Sequence, residues 1–393
     1  MRTLAEQIGL SKSFVVCSDG DGARAMNRLT RQIFSFSCTF FIGVSALSQA
    51  AGEDCSLRRF DFERVEMGVL FRLSVYGSDS DLANKAAEAA YARVHELNGI
   101  FSDYDGSSEV RRLCDISGPG RAVKASKELV TVLAESLKLS DETEGAFDVT
   151  VGPLTKLWRR ARRREIIPEP QRIADERKLV GTELVRLNSQ NSSVELLREG
   201  MRLDFGGIAK GFAADEALRI LRDHGLNRAL VDASGDIVAG DPPPDACFWV
   251  ISIEALRPRY RDQDSPAANN QDSDTAVIPE LKICNAAVAT SGDAYQSVVI
   301  DGRRFSHIVD PKTGLGLNQR SSVTIVARSG LMADGLASAV SVLGPDAGMR
   351  LLNDSEHCEA EGYIMFAKGG SDKVRSASSL GLKRFLINPE TVE

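Results

Sequence analysis

Four histidines and not one Cys-x-x-Cys pair are what this 393-residue chain could offer a zinc ion. With so few imidazoles and no paired thiolate spacing, no zinc site is expected, and a chain this long needs no dense disulfide scaffold. Positive charge is also short: 48 Lys and Arg face 55 Asp and Glu, a formal charge of −7. Recognition of a nucleic-acid backbone needs clustered cations, so no nucleic-acid partner is expected. The one basic run, RRARRR at 159–164, reads as a solvated helix face or loop, with a partner or anion site as the alternative. The phosphate-loop pattern G-x-x-x-x-G-K-[ST] is missing. Internal repeats and low-complexity tracts are missing too, which removes solenoids and disordered tails.

What is present is the composition of a folded protein, 43% hydrophobic and 26% charged, enough for one large core or two ordinary ones. From Met26 the chain reads MNRLTRQIFSFSCTFFIGVSALSQA. Arg28 and Arg31 precede an apolar run from Ile33 to Leu47, and small residues follow at Ser48 and Ala50. That order is a secretory signal peptide over 26–50, leaving 1–25 as an unused upstream start or an extended leader. A membrane anchor is the weaker reading, because the run is shorter than the roughly 20 residues of a spanning helix. Residues before Cys38 and Cys55 make poor lipidation sites. The mature chain, 51–393, is therefore expected outside the cytoplasm, in the periplasm, with at most peripheral attachment to the inner membrane. Of seven cysteines, Cys17 and Cys38 fall before Ala50, and the five that remain admit at most one or two bridges.

Beyond the leader, strand-like and helix-like segments alternate. VEMGVLFRLSVYG (65–77) alternates like a strand, and 81–101 carries Ala83, Ala87, Ala90, Tyr91, Val94 and Leu97 at helical spacing. The stretches 126–143 and 207–226 read as further amphipathic helices, the second closed by Gly225. ALVDASGDIVAGD and CFWVISI follow as strands. Residues 257–280 are polar and carry prolines, and read as a surface excursion between strands, not as a domain boundary.

One stretch resists a purely structural reading. LDFGGIAKGF (203–212) runs from a strand into paired glycines and a lysine at a helix start. Gly206 and Gly207 permit close backbone approach, the helix-start amides point outward and Lys210 adds charge, a geometry that suits an anion. A tight packing turn with a surface lysine is the alternative. Five other stretches are rich in small, acidic or hydroxyl residues where a core would want bulk. They are FSDYDGSSEV (101–110), EGAFDVTVGPLTKLW (144–158), AVATSGDAYQ (287–296), SHIVDPKTG (306–314) and ADGLASAVSVLG (333–344).

Together these stretches resemble the ApbE family of FAD-dependent protein FMN transferases. Against a family pattern of approximately MGT, F-S-x-Y, GAFDPTVGPL, LDLGGIAKG, VATSG, HIIDPxTG and ADALATAL, this chain has MGV, FSDY, GAFDVTVGPL, LDFGGIAKG, VATSG, HIVDPKTG and ADGLASAV, in order, over roughly 60–390. The resemblance implies an α+β fold, a single unit of two packed α/β lobes with the FAD site between them. It implies export and FAD and magnesium binding. It also implies transfer of the FMN half of FAD to a threonine or serine hydroxyl of a partner, with release of AMP. The acceptors it implies are subunits of ion-pumping quinone oxidoreductases and related electron-transfer proteins. An FAD pyrophosphatase giving FMN and AMP, or a non-catalytic FAD-binding protein, would use the same site.

Carried over residue by residue, the resemblance assigns FAD contacts to Met67, Tyr104, Ala146, Phe147, Asp148, Asp204, Lys210 and Val309, the last through its backbone. Met67 and Tyr104 offer polarizable or aromatic surface to a flat ring, with core packing as their plain alternative; Asp148 could equally be a turn former. The implied magnesium ligands are Asp334, Ser338 and the backbone carbonyl of Gly207, all hard oxygens. Asp334 and Ser338 share a helix face. The chain departs from the pattern at Ser338, where threonine is usual, and at Gly335, where alanine is. For the hydroxyl proton, His307 is the candidate base, with Asp310 as its orienting partner or as the base itself.

Overall fold

The computed structural model describes residues 57–253, 256, 279–292, 297–354, 359–367 and 374–388. The expected leader and signal peptide lie outside the described residues, as does the polar excursion up to residue 278.

The described residues open with β1 (Arg58–Glu66) and β2 (Val69–Gly77), which pair antiparallel. The alternation read as one strand over 65–77 is thus the end of one strand, a turn and a second strand. Met67 and Gly68 form that turn, both at positive φ (51° and 75°), the conformation that suits the twist of a two-residue hairpin. Next come α1 (Ser80–Phe101), α2 (Glu109–Ile116), β3 (Val123–Lys124), α3 (Lys127–Glu142), α4 (Gly152–Arg164) and α5 (Pro170–Arg177). The middle of the chain supplies β4 (Val185–Asn188), β5 (Ser193–Leu196), α6 (Ala209–Asp223), β6 (Ala229–Ala233), β7 (Asp236–Ala239) and β8 (Trp249–Ser252). The last third supplies β9 (Glu280–Ile283), β10 (Ala286–Gly292), β11 (Ser297–Ile300), β12 (Arg303–Ser306), β13 (Arg320–Ala327), α7 (Gly330–Asn353), β14 (Glu361–Ala367) and β15 (Val374–Ser378). Helix starts follow local chemistry: the Asp79, Ser126 and Ser329 side chains each accept a first-turn N–H of α1, α3 and α7. Gly225, at φ 82°, ends the α6 segment as its sequence position suggests.

Eight strands form one antiparallel sheet in the order β1-β2-β6-β7-β10-β13-β14-β15. Its two faces do different work. On one, Phe71, Leu73 and Val75 of β2 and Val323 and Ile325 of β13 meet an alanine-rich helix layer, among it Ala87 and Val94 of α1, Ala213 and Ala217 of α6, and Ala337 and Val340 of α7. Each large aliphatic side chain buried there contributes about 1.5–3 kcal/mol. The alternate residues, Leu230, Val288, Val326 and Met365, cover a smaller core with Trp249 and Ile251 of β8 and Leu281 of β9. This is a mixed α+β architecture, with its long helices gathered on one face of an antiparallel sheet.

Helices α6 and α7 touch through glycine. A Cβ on Gly211 would lie 2.0 Å from the Gly330 carbonyl oxygen, so only a bare backbone fits at the crossing. A third apolar cluster joins Trp158 of α4, Ile173 of α5, Phe305 of β12 and Val309. Among the described residues Cys114, Cys247 and Cys284 are free thiols, and no helix is long and apolar enough to cross a membrane.

Candidate active site

The glycine turn ahead of α6 is shaped by Asp204, whose Oδ1 accepts the Gly206 N–H at 2.9 Å. At Gly207 a side chain has no room, since a Cβ there would stand 2.6 Å from Ser338 Oγ and 3.6 Å from Phe147 Cε2. The Ser338 hydroxyl accordingly lies 3.5 Å from the Gly207 carbonyl oxygen. Two motifs about 130 residues apart in the chain therefore meet at one backbone atom.

The first turn of α6 faces an anion that the chain itself provides. Gly211 N–H donates to Asp334 Oδ2 at 3.1 Å, so a carboxylate on α7 occupies the position where helix-start amides favour negative charge. Lys210 donates to Asp236 and stands 3.8 Å from Asp334. Asp236 and Asp334 are buried. Desolvation, then repulsion from Asp334, pushes the Asp236 carboxyl up to about 7 despite Lys210. Desolvation likewise raises Asp334, with Lys210 opposing it. Burial alone would lower the Lys210 ammonium, but the two carboxylates outweigh it and raise it, so the lysine stays charged.

A second charged group lies beside this one. Arg159 of α4 donates to Asp103 through Nη1 and to Asp204 Oδ2 through Nη2 at 3.0 Å, while its guanidinium sits 4.3 Å from the centre of the Tyr104 ring. Thr155 donates to the same Asp204 oxygen at 2.7 Å. Burial raises the Asp103 carboxyl, and repulsion from Asp204 adds to it, against the pull of Arg159. Tyr104 is 80% exposed, which excludes the core-packing role open to it. Met67 sits half-buried at the β1–β2 turn, against the main core.

The GAFD segment joins the same region through its backbone. The Asp204 N–H donates to the Val149 carbonyl at 2.7 Å, and Ala146 and Phe147 are buried. The Asp148 carboxylate accepts from the Thr150 N–H at 2.7 Å and its hydroxyl at 2.6 Å, which makes it a turn former here. Trp158 donates its indole N–H to the Gly314 carbonyl at 2.8 Å, tying α4 to the HIVDPKTG loop. In that loop Val309 is buried and bridges to Gly316. Both oxygens of Asp310 serve its own turn, accepting from the Lys312 N–H and the Thr313 hydroxyl at 2.8 Å each. His307 is half-buried and directly follows β12.

Of the residues singled out from sequence, Phe147, Gly207, Lys210, Asp334 and Ser338 thus meet around the start of α6, with Asp204 and Tyr104 linked through Arg159. Three contributors were not singled out. Asp236 lies in a stretch read only as a strand, and Thr155 carries no signal by itself. Arg159 belongs to the basic run read as solvated; that reading describes the exposed Arg160, Arg163 and Arg164 but not Arg159, whose side chain turns inward to two acids.

The model of the ApbE family matches residues 67–361. The FAD:protein FMN transferase of Haemophilus influenzae is 30% identical over 280 residues, covering 70% of this chain and 77% of that protein. That of Escherichia coli K12 is 25% identical over 366 residues, covering 91% and 98%. Among solved structures, the flavin transferase ApbE from Vibrio cholerae aligns with a TM-score of 0.70 at 26% identity, over 84% of this chain and 100% of that one. The ApbE protein from Thermotoga maritima aligns with a TM-score of 0.72 at 27% identity, over the same shares.

Proposed function

The chain belongs to the ApbE family, and on that premise we propose that it is an FAD:protein FMN transferase. The hydroxyl oxygen of a threonine or serine on a partner protein forms a bond to the FMN phosphorus, the pyrophosphate bond to AMP breaks, and the hydroxyl proton passes to a base. The observation that carries the reading is the meeting of the Gly207 carbonyl, the Ser338 hydroxyl and the Asp334 carboxylate beside Lys210.

Those three donors fit a magnesium ion. All are hard oxygens, and a Cβ at Gly207 would fill the cradle. One carboxylate, one hydroxyl and one backbone carbonyl are a sparse protein share, of the kind that phosphate oxygens and water complete. When bound, the ion would offset charge that develops on the pyrophosphate. Asp236 orients the Lys210 ammonium, which supplies a second fixed positive charge for the phosphates. Arg159 holds Asp204 and the Tyr104 ring in one arrangement for the flavin. Met67, Ala146, Phe147 and Val309 complete the FAD contacts, and Asp148 holds the turn that presents the GAFD segment. His307 takes the hydroxyl proton, because Asp310 is committed to its turn. The acceptor is a threonine-bearing subunit of an electron-transfer complex. The segment from Met26 to Ala50 supports export to the periplasm, where that acceptor would be met.

The test is flavin fluorescence of an acceptor in a gel after incubation with FAD, with magnesium present or chelated. Asp334→Ala, checked for folding by circular dichroism, is expected to lose transfer, and the parent to lose it on chelation. Transfer undiminished in both cases would remove the metal from the mechanism. AMP and free FMN without any labelled acceptor would replace transfer by hydrolysis.

A further inference from the structure

The outer side of the Tyr104 region carries positive charge beyond that of Arg159, which the site already employs. A cavity of about 200 Å³ opens between α2, the loop around Tyr104, and α4, and four cations line it: Arg111, Lys156, Arg159 and Arg202. Its one acidic lining residue, Asp103, is already bound by Arg159, and Asp204 takes the rest of that guanidinium. The carboxylate nearest Arg202 is Asp115 at 3.7 Å, and the Arg202 Nη1 is buried without a hydrogen-bond partner. Arg111 and Lys156 make no ion pair among the described residues. The exposed Arg160, Arg163 and Arg164 continue the charge along α4.

We propose that this cavity and the adjoining face of α4 dock an acidic surface of the acceptor protein, with an acceptor carboxylate entering the cavity. The inference rests on the transferase reading and names how the partner is recognised. In a chain of net charge −7, Arg111 and Lys156 converge on the cavity with no ion pair among the described residues, beside two further guanidinium groups, and the like charges repel one another. A buried guanidinium N–H left without an acceptor adds its own desolvation cost. Both costs are relieved by an anion. The cavity is smaller than the roughly 300 Å³ at which sites for whole cofactors begin, and suits a single carboxylate side chain. Tyr104 lines the same cavity, so a protein seated there presents its neighbouring hydroxyl close to the flavin end of the site. A positive face on an acidic protein also steers an acidic partner and sets its register.

Arg111→Glu combined with Lys156→Glu tests this, since neither residue belongs to the machinery described above. The double variant is expected to bind FAD with affinity within about two-fold of the parent, judged by quenching of flavin fluorescence. Its KM for the acceptor should rise about ten-fold or more at unchanged kcat, and the salt dependence of the parent's kcat/KM should flatten. A ten-residue Asp/Glu peptide without threonine should bind the parent in a calorimetric titration, while its Asn/Gln counterpart and the double variant should show no binding. An unchanged KM, or acidic and neutral peptides that bind alike, would overturn the docking face. Weakened FAD binding at unchanged KM would assign the cavity to the dinucleotide instead. Peptide binding that follows the charges in a protein that labels no acceptor would retain the acidic-partner surface and reject the transferase reading.

Discussion

Gly211→Ala separates helix propensity from helix packing in one substitution. In an isolated helix the change would stabilise by about 1 kcal/mol. In this fold the new Cβ would lie 2.0 Å from the Gly330 oxygen, 2.4 Å from its carbonyl carbon and 2.9 Å from Asp334 Cβ. Two of these obstacles are backbone and cannot swing aside, so α6 and α7 must part by roughly 1 Å or more. Overpacking of this kind costs about 1–3 kcal/mol, and a rigid obstacle puts it near the top of that range, leaving a net loss of about 1–2 kcal/mol. The displaced helix carries Asp334 and Ser338 away from Gly207, and an ångström of misplacement can cost on the order of 100-fold in rate. Urea denaturation should show a lower midpoint at unchanged slope, and transfer at saturating FAD should fall sharply. A variant more stable than the parent by about 1 kcal/mol and equally active would refute this account of the crossing. Gly335→Ala is the control: its Cβ meets the movable end of Leu139 at 2.5 Å, so stability should stay within about 1 kcal/mol of the parent and activity should be kept.

Asp236 predicts a pH effect in the metal-free protein. Its folded carboxyl sits at about 7 against 3.8 in an unfolded chain, so the stability it contributes is full below pH 4 and drains as pH rises to 7. That difference corresponds to at most about 4 kcal/mol. Asp236→Asn should abolish that slope relative to the parent in denaturation midpoints taken from pH 4 to 8; parallel curves would refute it. His307→Ala should keep FAD affinity and slow transfer by about 100-fold, measured under single-turnover conditions, whereas an unaltered rate would place the base elsewhere.

Much of this protein is legible in its sequence. Helical spacing marked the face of α1 that is buried, because a 3.6-residue period forces one side of a helix inward wherever it packs. The order of motifs marked the family, because short stretches with a chemical task carry their residue types with them. The hairpin at Met67 was not legible, since alternation continues through a two-residue turn of this type. The acid paired with Lys210 was also beyond reach. Asp236 comes from β7, on a hairpin 26 residues further along the chain, and nothing local distinguishes its carboxylate from a surface one. Arg159 was hidden for the opposite reason, inside a run of identical charges whose neighbours face water. Sequence by itself determined which residue types are available and how often they repeat along each element. Which acid meets which base was decided by the sheet and by the glycine crossing of α6 and α7, because a buried charge takes its energy from partners that only tertiary packing brings within 4 Å.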